Sequence, residues 1–135
     1  MKISTKGRYG LRSMADLALH YNEGPALLKD IAERQKISMK YLDHVIKPLR
    51  ENGYIERRKN GYMLSRPPED INCLEVLNNV EGSLAPVDCV DRPDYCSQRN
   101  TCLTINVWRQ LKNSMEEVLK GKTLKDLVDE KPIKF

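Results

Sequence analysis

The sequence lacks any hydrophobic run approaching the roughly 20 residues that a membrane-spanning helix needs. No apolar segment of the kind found in signal peptides follows its first residues. It also lacks paired carboxylates, a nucleophile–base set and a glycine-rich phosphate loop, and it has only two histidines. These absences argue against a membrane protein, a secreted protein and an enzyme. We therefore expect a cytoplasmic protein that has no membrane partner.

The composition permits one folded domain with an extension, since 40% of the 135 residues are hydrophobic. The charge is unevenly distributed along the chain. Residues 1–66 contain 14 Lys/Arg against 7 Asp/Glu, whereas residues 67–135 contain 9 against 12. The first part therefore carries a net charge of +7 and the second a net charge of −3. This asymmetry suggests a polyanionic partner for the first part alone.

Apolar residues recur at helical spacing over residues 8–21, 28–34 and 39–51, which predicts three helices. Ser38 is a good N-cap for the third helix. The second and third helices, joined by a short turn, are typical of a helix-turn-helix. Opposite its apolar side, the third helix carries a polar face formed by Lys40, Asp43, His44 and Lys47.

A hairpin is predicted next, because Asn60-Gly61 lies between two β-prone segments, residues 54–59 and 62–65. Asn-Gly is typical of a type I′ turn, which needs positive φ at both positions. Three consecutive basic residues, Arg57, Arg58 and Lys59, lie close to its tip. The order of elements is that of a winged helix. We therefore predict a mainly α fold with a small two-stranded β wing.

The polar helix face and the basic hairpin each have a simpler interpretation. Most polar helix faces are merely solvated, and basic residues on a hairpin can serve only to keep an edge strand soluble. Their combination in a winged helix favours DNA instead. Lysine and arginine contact phosphates and guanine edges, and a carboxylate such as that of Asp43 accepts from the cytosine amino group.

Three further helices are predicted beyond Pro67-Pro68: one from Glu69 or Asp70 to residue 80, a long one from Cys102 or Leu103 to Lys120, and a short last one with Thr123 as its N-cap. Cys73, on the first of these, is interpreted as a buried small hydrophobic residue. The long helix carries an apolar stripe close to an a/d seam, and its length favours a partner subunit over its own domain. This predicted dimer stripe consists of Ile105, Trp108, Leu111, Met115 and Val118.

Residues 83–102 form a polar segment with three cysteines, Cys89, Cys96 and Cys102. The segment has no apolar period, so something other than packing must order it. Structural zinc usually binds short C-x₂₋₄-C pairs, which neither spacing matches. An iron–sulfur cluster whose last ligand is not sulfur, unligated thiols and a thiol switch remain open. His20 and His44 fit helix-surface residues better than metal ligands.

Several motifs along the chain are specific ones: residues 1–11, 30–35, 37–38, 41–42, 48–50, 61–64, 102–104, 108 and 123–127. Together they resemble the IscR/NsrR/CymR family of bacterial winged-helix transcription regulators. The resemblance implies a homodimer whose long C-terminal helices cross, and whose third helix and wing contact the major and minor grooves of double-stranded DNA. With the family included, the candidate DNA contacts are Ser38, Lys40, Tyr41, Asp43, His44, Lys47, Arg57, Arg58 and Lys59.

The cluster-binding branches of this family have three cysteines in this loop, and the cysteine-metabolism branch lacks them. The resemblance therefore implies a regulator, mostly a repressor, that senses iron–sulfur cluster status, with [2Fe–2S] favoured over [4Fe–4S]. A nitric-oxide or thiol-redox regulator and a winged-helix protein-interaction module are the alternatives. The implied division is 1–66 DNA binding, 67–82 connecting helix, 83–102 cluster loop, and 103–135 dimerisation helix with a short last helix.

The sequence departs from the family in ways that affect the site. Ile105 stands where the iron–sulfur biogenesis regulator has a histidine ligand. The fourth ligand is therefore open among Asp91, Asp94, His20, a first-helix residue of the partner and a small exogenous molecule. The wing is short, Asp43 replaces the family's glutamate, and Lys40 stands where a small polar residue is common. The family's operator preference therefore does not transfer.

Overall fold

Residues 2–130 are described by a computed structural model, and they form six α-helices and one two-stranded antiparallel sheet. The predicted mainly α fold with a β wing is confirmed. Met1 and residues 131–135, the end of the predicted last segment, lie outside the described residues. The elements are α1 Thr5–Leu19, α2 Leu28–Gln35, α3 Met39–Glu51, β1 Ile55–Arg58, β2 Gly61–Leu64, α4 Cys73–Glu81, α5 Ile105–Lys120 and α6 Leu124–Asp129.

Local side chains set where the helices begin. The Ser4 hydroxyl accepts a hydrogen bond from the backbone N–H of Gly7 at 3.1 Å, so α1 begins at Thr5, three residues before the apolar pattern does. Ser38 caps α3 in the same way, at 3.1 Å from the N–H of Tyr41, as predicted. An unpaired N–H at a helix start is costly, and a side-chain oxygen removes that cost.

The predicted start of α4 at Glu69 or Asp70 is wrong. Those residues lie in a 3₁₀ turn, and α4 begins at Cys73. Asn72 and Glu75 form a capping box there, with each side chain bonded to the other's backbone N–H at 2.9 Å. This Asn-x-x-Glu pattern is visible in the sequence and was the better signal.

The hydrophobic core lies between α1, α3, α4 and α6, and α1 packs against each of the other three. Residues after position 66 complete this core, which therefore continues beyond the predicted end of the DNA-binding segment. Burial of such side chains supplies most of the stability of a small domain. Its fully buried members include Met14, Leu42, Val45, Leu49, Leu64, Ile71, Val76 and Leu124.

The wing turn differs from the prediction. Arg58 pairs with Gly61, which leaves Lys59 and Asn60 as the turn. Of the two, only Lys59 has a positive φ (53°), so the predicted type I′ turn over Asn60-Gly61 is wrong. Glycine is needed at position 61 for space, because a Cβ there would lie 2.8 Å from the carbonyl oxygen of Ala26.

That close approach arises from a bridge between the wing and the segment before α2. Ala26 and Tyr62 exchange two backbone hydrogen bonds of 2.8 Å. The wing is thereby fixed to the helix-turn-helix by main-chain bonds as well as by packing. Within residues 2–130, no helix is both long and apolar enough to cross a bilayer.

Candidate nucleic-acid interface and cysteine loop

The exposed face of α3 carries the polar side chains that the sequence singled out. Lys40, Asp43, His44 and Lys47 are all exposed, while the opposite side of the helix is buried in the core. The N-cap Ser38 is also exposed. The helix therefore has one side fixed by packing and one side free for a ligand.

Tyr41 connects α3 to α1. Its half-buried ring meets the ring of Tyr9 edge to face, with centroids 6.0 Å apart, and lies 6.4 Å from the ring of His44. The guanidinium of Arg12 lies 4.8 Å from the centre of the Tyr9 ring, and that of Arg8 lies 6.0 Å from it. Sequence reasoning missed these two arginines, although their i, i+4 spacing beside Tyr9 was a signal. They extend the basic surface next to α3.

Some charges of this surface are paired within the chain. Asp43 lies 3.3 Å from Arg50, near the end of the same helix, and Lys47 lies 4.0 Å from Glu51. Exposed pairs such as these contribute little stability, since water screens them. Sequence reasoning missed Arg50, which lies seven positions after Asp43, because only the folded helix brings the two side chains together.

The wing presents three exposed basic residues, as predicted, but in different states. Arg58 is paired with Glu56 at 2.7 Å. The guanidinium of Arg57 lies 5.9 Å from the centre of the Tyr62 ring. Lys59 lies in the turn itself. The positions of two of the three side chains are therefore set by neighbours in the hairpin.

The cysteine loop, residues 83–102, has two short 3₁₀ turns at Asp88–Val90 and Arg99–Thr101, and residues 91–98 are exposed throughout. Arg99 joins the turns by donating to the carbonyl oxygen of Cys89 at 2.7 Å and to that of Val90 at 3.4 Å. Asp91 accepts from Ser83 and from Lys112 on α5, the latter at 2.6 Å. Polar contacts therefore order residues 88–101, while Leu84 at the start of the loop is buried.

The four cysteines are free thiols in different environments. Cys73 is 2% exposed, as predicted, and burial raises the pKa of its thiol. Cys102 lies just before α5, with its sulfur 3.2 Å from the Thr104 hydroxyl. That hydroxyl, followed by the backbone N–H groups of Thr104 and Ile105, lowers the pKa of the Cys102 thiol. These contacts favour the thiolate form of Cys102.

The loop has suitable donors for a metal centre but not a formed site. Three free thiols suit iron, yet in residues 2–130 no three Cys, His, Asp or Glu side chains are grouped so that they could hold a metal ion. Of the fourth-ligand candidates, Asp91 is engaged by Ser83 and Lys112, and His20 lies 2.5 Å from Glu23. Asp94 is exposed. A cluster would require the loop to rearrange.

The stripe predicted for a dimer interface is divided in the structure. Ile105 is only 7% exposed, buried within its own chain, while Val118 is 66% exposed. Trp108, Leu111 and Met115 are half-buried. Two apolar residues outside the predicted stripe are also exposed: Leu103 at 97% and Val107 at 50%. At the start of α5, the exposed apolar residues are therefore Leu103 and Val107 and not the predicted Ile105.

Comparison with known proteins agrees with this geometry. A family model described as Rrf2, iron-dependent transcriptional regulator, matches residues 3–130. Protein rrf2 of Nitratidesulfovibrio vulgaris is 40% identical over 131 residues, which cover 95% of this chain and 87% of that protein.

Two solved structures are similar to the whole fold. T. potens IscR has a TM-score of 0.78 and 41% identity, covering 96% of this chain and 87% of its own. CymR, the global cysteine regulator of B. subtilis, has a TM-score of 0.78 and 34% identity, covering 98% of this chain and 99% of its own. The predicted family is confirmed. The chain belongs to the Rrf2 family of transcriptional regulators, which are DNA-binding winged-helix proteins and not enzymes.

Proposed function

We propose that this regulator binds double-stranded DNA as a homodimer, and that an iron–sulfur cluster held by Cys89, Cys96 and Cys102 sets its DNA affinity. The observation that carries the proposal is the position of three free thiols in one polar loop between α4 and α5. Similarity to proteins named IscR supports it. The protein would act mostly as a repressor of transcription, which is what the family resemblance implies.

The proposed DNA surface is the exposed side of α3 together with the wing. Lysines and arginines there neutralise phosphates, while Asp43 and the neighbouring polar residues reach base edges. Burial of the opposite side of α3 holds this face at a defined angle. The proposed contacts are Ser38, Lys40, Tyr41, Asp43, His44, Lys47, Arg57, Arg58 and Lys59.

The properties of the thiols support the cluster half of the proposal. Iron binds the thiolate form, and the Thr104 hydroxyl lowers the pKa of Cys102, which increases the share of its thiol in that form. When bound, a cluster supplies iron centres that link the three thiolates and respond to iron supply and oxidation. Because polar contacts at the surface order the loop, its rearrangement costs little. We favour [2Fe–2S] over [4Fe–4S].

One contact just before the loop and one within it support coupling to DNA binding. Glu81, at the end of α4, accepts from the backbone N–H of Ser4 at 2.8 Å and from the Ser4 hydroxyl, at the start of α1. Asp91 bonds to Lys112 on α5. Ordering of the loop therefore acts on α1 and α5 together, and shifts the population of dimers whose recognition helices fit successive major grooves.

The proposed dimer surface is the apolar side of α5. A second copy would cover the exposed Val118 and the half-buried Trp108, Leu111 and Met115, and Ile105 would support them from within its own chain. Covering exposed apolar residues of this kind is favourable in water.

The direct test is anaerobic reconstitution with iron and sulfide, followed by visible absorption and iron counting. The wild type and the core control Cys73→Ala should become coloured, and Cys96→Ser should not. A colourless wild type that holds only zinc would refute the cluster. DNA affinity should then differ between the cluster-loaded and cluster-free forms, and equal affinities would refute the coupling.

Salt dependence tests the DNA surface separately. Lys59→Ala removes one phosphate contact from each of the two protomers, and should therefore reduce the slope of log K against log salt by about two. Lys125→Ala, an exposed lysine on α6, which contributes no proposed DNA contact, is the matched control. An unchanged slope in Lys59→Ala would remove the wing turn from the contacts.

Thiol redox sensing is the second candidate function, favoured by the lowered pKa of Cys102 and by similarity to CymR. It predicts that peroxide changes DNA affinity in iron-free protein, and that a disulfide forms between two of the three loop cysteines. Mass spectrometry of the peroxide-treated protein distinguishes this mechanism from the cluster. Absence of the disulfide would rule it out.

A further inference from the structure

Arg50 contacts both the polar face of α3 and the wing. Its Nη1 lies 3.3 Å from Oδ1 of Asp43 and donates to the Tyr62 hydroxyl at 3.4 Å. Its guanidinium carbon lies 5.6 Å from the centre of the Tyr62 ring. One side chain thus joins the proposed base-reading carboxylate to the second strand of the wing.

Tyr62 is a fixed anchor for this contact. It is 7% exposed, lies in β2, and exchanges two 2.8 Å backbone hydrogen bonds with Ala26. Arg57 lies over the same ring and pairs with Tyr62 across the hairpin. Because Tyr62 cannot move without disturbing the wing sheet, the Arg50 guanidinium has a defined position.

We propose that Arg50 is a positioning residue that determines how strongly Asp43 discriminates between bases. The inference rests on the proposed DNA-reading role of α3. Asp43 is 52% exposed, so without a partner its carboxylate would sample several rotamers. Arg50 occupies Oδ1 and leaves Oδ2 free to accept from a cytosine amino group.

The pairing also limits a cost of placing a carboxylate next to DNA. An unpaired Asp43 carboxylate would repel phosphates whatever the DNA sequence. A paired one keeps a free acceptor oxygen, and the positive charge of Arg50 compensates much of its negative charge. The guanidinium suits this role because its planar fork presents several donors in a rigid arrangement. A lysine at position 50 would keep the charge but would not orient the carboxylate and contact the ring together.

A second arginine in the chain provides a matched control. Arg66 lies 4.9 Å from the centre of the Tyr54 ring and 3.8 Å from Glu75, so it has the same kinds of partner. Glu75 is on α4, outside the proposed DNA surface. Replacing Arg66 removes a similar contact without touching the carboxylate of α3.

The test is selection of bound sequences from a random duplex library by the full-length dimer. Asp43→Asn identifies the base position that Asp43 reads, because the preference there falls. Arg50→Met should flatten the preference at that same position by a similar factor, about tenfold, and the double variant should lose no more. Arg50→Lys should flatten it as well, and Arg66→Met should select as the wild type does.

Any other outcome contradicts either the proposed DNA-reading role of α3 or the positioning role of Arg50. A wild type that enriches no sequence refutes the proposed DNA-reading function itself. If Arg50→Met and Arg50→Lys weaken all sequences equally and keep the preference, Arg50 is structural and the inference is wrong. Additive losses in the double variant, or a preference that is unchanged in Asp43→Asn, contradict it too. Thermal melting of each variant verifies that it is folded.

Discussion

The winged helix and the cysteine loop are ordered by different forces. In the winged helix, side chains from α1, α3, α4 and α6 share one core in which Leu42 and Leu49 are fully buried. In the loop, residues 91–98 are all exposed, and the conformation depends on polar contacts made by Asp91 and Arg99. The first region gains free energy from burial, while the second has little to gain.

This difference shows where a signal can act. A close-packed core resists change, because moving one side chain creates a cavity or a clash. A loop held by exposed hydrogen bonds can adopt another arrangement when a ligand supplies the free energy. The loop thiols thus lie where rearrangement costs little free energy, and the proposed DNA face lies where it costs more.

The largest expected contrast is in thiol reactivity. In the native protein Cys73 should react with iodoacetamide only through unfolding, at least about a thousandfold more slowly than Cys96. Its burial and its raised pKa both act against reaction. Mass spectrometry of timed, quenched samples of iron-free protein measures this. Comparable rates at the two cysteines would show that the core around α4 opens as easily as the loop.

Truncation of a core side chain should cost most among the substitutions. Leu42→Ala removes a fully buried side chain, and should lower the free energy of unfolding by about 3 kcal/mol. Tyr95→Ala, in the exposed loop, should change it by less than about 0.5 kcal/mol. Urea unfolding at one protein concentration compares the two. Equal losses would mean that the loop belongs to the cooperative core.

A buried ion pair between α1 and α2 should come next. Asp16 is 6% exposed and accepts from Arg34 at 2.7 Å and from Gln35 at 2.8 Å. Asp16→Asn should cost about 2 kcal/mol, less than for a fully enclosed pair because Arg34 reaches solvent. Asp129→Asn, in an exposed pair with Lys125, should be nearly neutral. An unchanged free energy of unfolding in Asp16→Asn would show that the ion pair with Arg34 does not stabilise the contact between α1 and α2.

The contact between the end of α4 and the start of α1 should have a smaller effect. Glu81→Ala removes both acceptor contacts with Ser4 and should cost about 1 kcal/mol. Hydrogen exchange should become faster at the Ser4 amide. Glu33→Ala, an exposed glutamate on α2, is the control. Unchanged exchange at Ser4 would show that Glu81 does not hold the start of α1.

The smallest effect on stability is expected inside the loop. Arg99→Ala removes the donors to the carbonyls of Cys89 and Val90, and should change the free energy of unfolding by less than about 0.5 kcal/mol. Proteolysis between residues 88 and 101 should nevertheless become faster. Arg92→Ala, an exposed arginine in the same loop, should leave the cleavage rate near that of the wild type. A large loss of stability in Arg99→Ala would erase the distinction between the regions.

Features that depend on neighbouring residues were readable from the sequence. The apolar periods of α1 and α3, the Ser38 and Thr123 caps and the hairpin all appear in the structure. The capping boxes act within four residues, so the sequence contains the whole interaction. The predicted start of α4 is wrong because it relies on the acidic residues after the prolines. The Asn72–Glu75 capping box, which is equally local, sets the observed start.

Features that depend on distant residues were not readable. The reason for glycine at position 61 is the carbonyl of Ala26, 35 positions earlier in the chain. The partner of Asp43 is Arg50, which is itself held by Tyr62 on the wing. Ile105 has the spacing of a dimer residue, yet packs inside its own chain. Spacing alone does not tell which of two apolar surfaces a helix side will meet.

The sequence by itself determined the presence of the helices and the wing, the exposed polar and basic side chains of α3 and the wing, and the set of three loop thiols, because period, capping and composition are local properties. Only the tertiary structure decided which charges are paired, how the wing is fastened to α3, and which side of α5 remains free. It also showed that Asp91 is engaged by Ser83 and Lys112. Those features depend on side-chain contacts that exist only once the chain has folded.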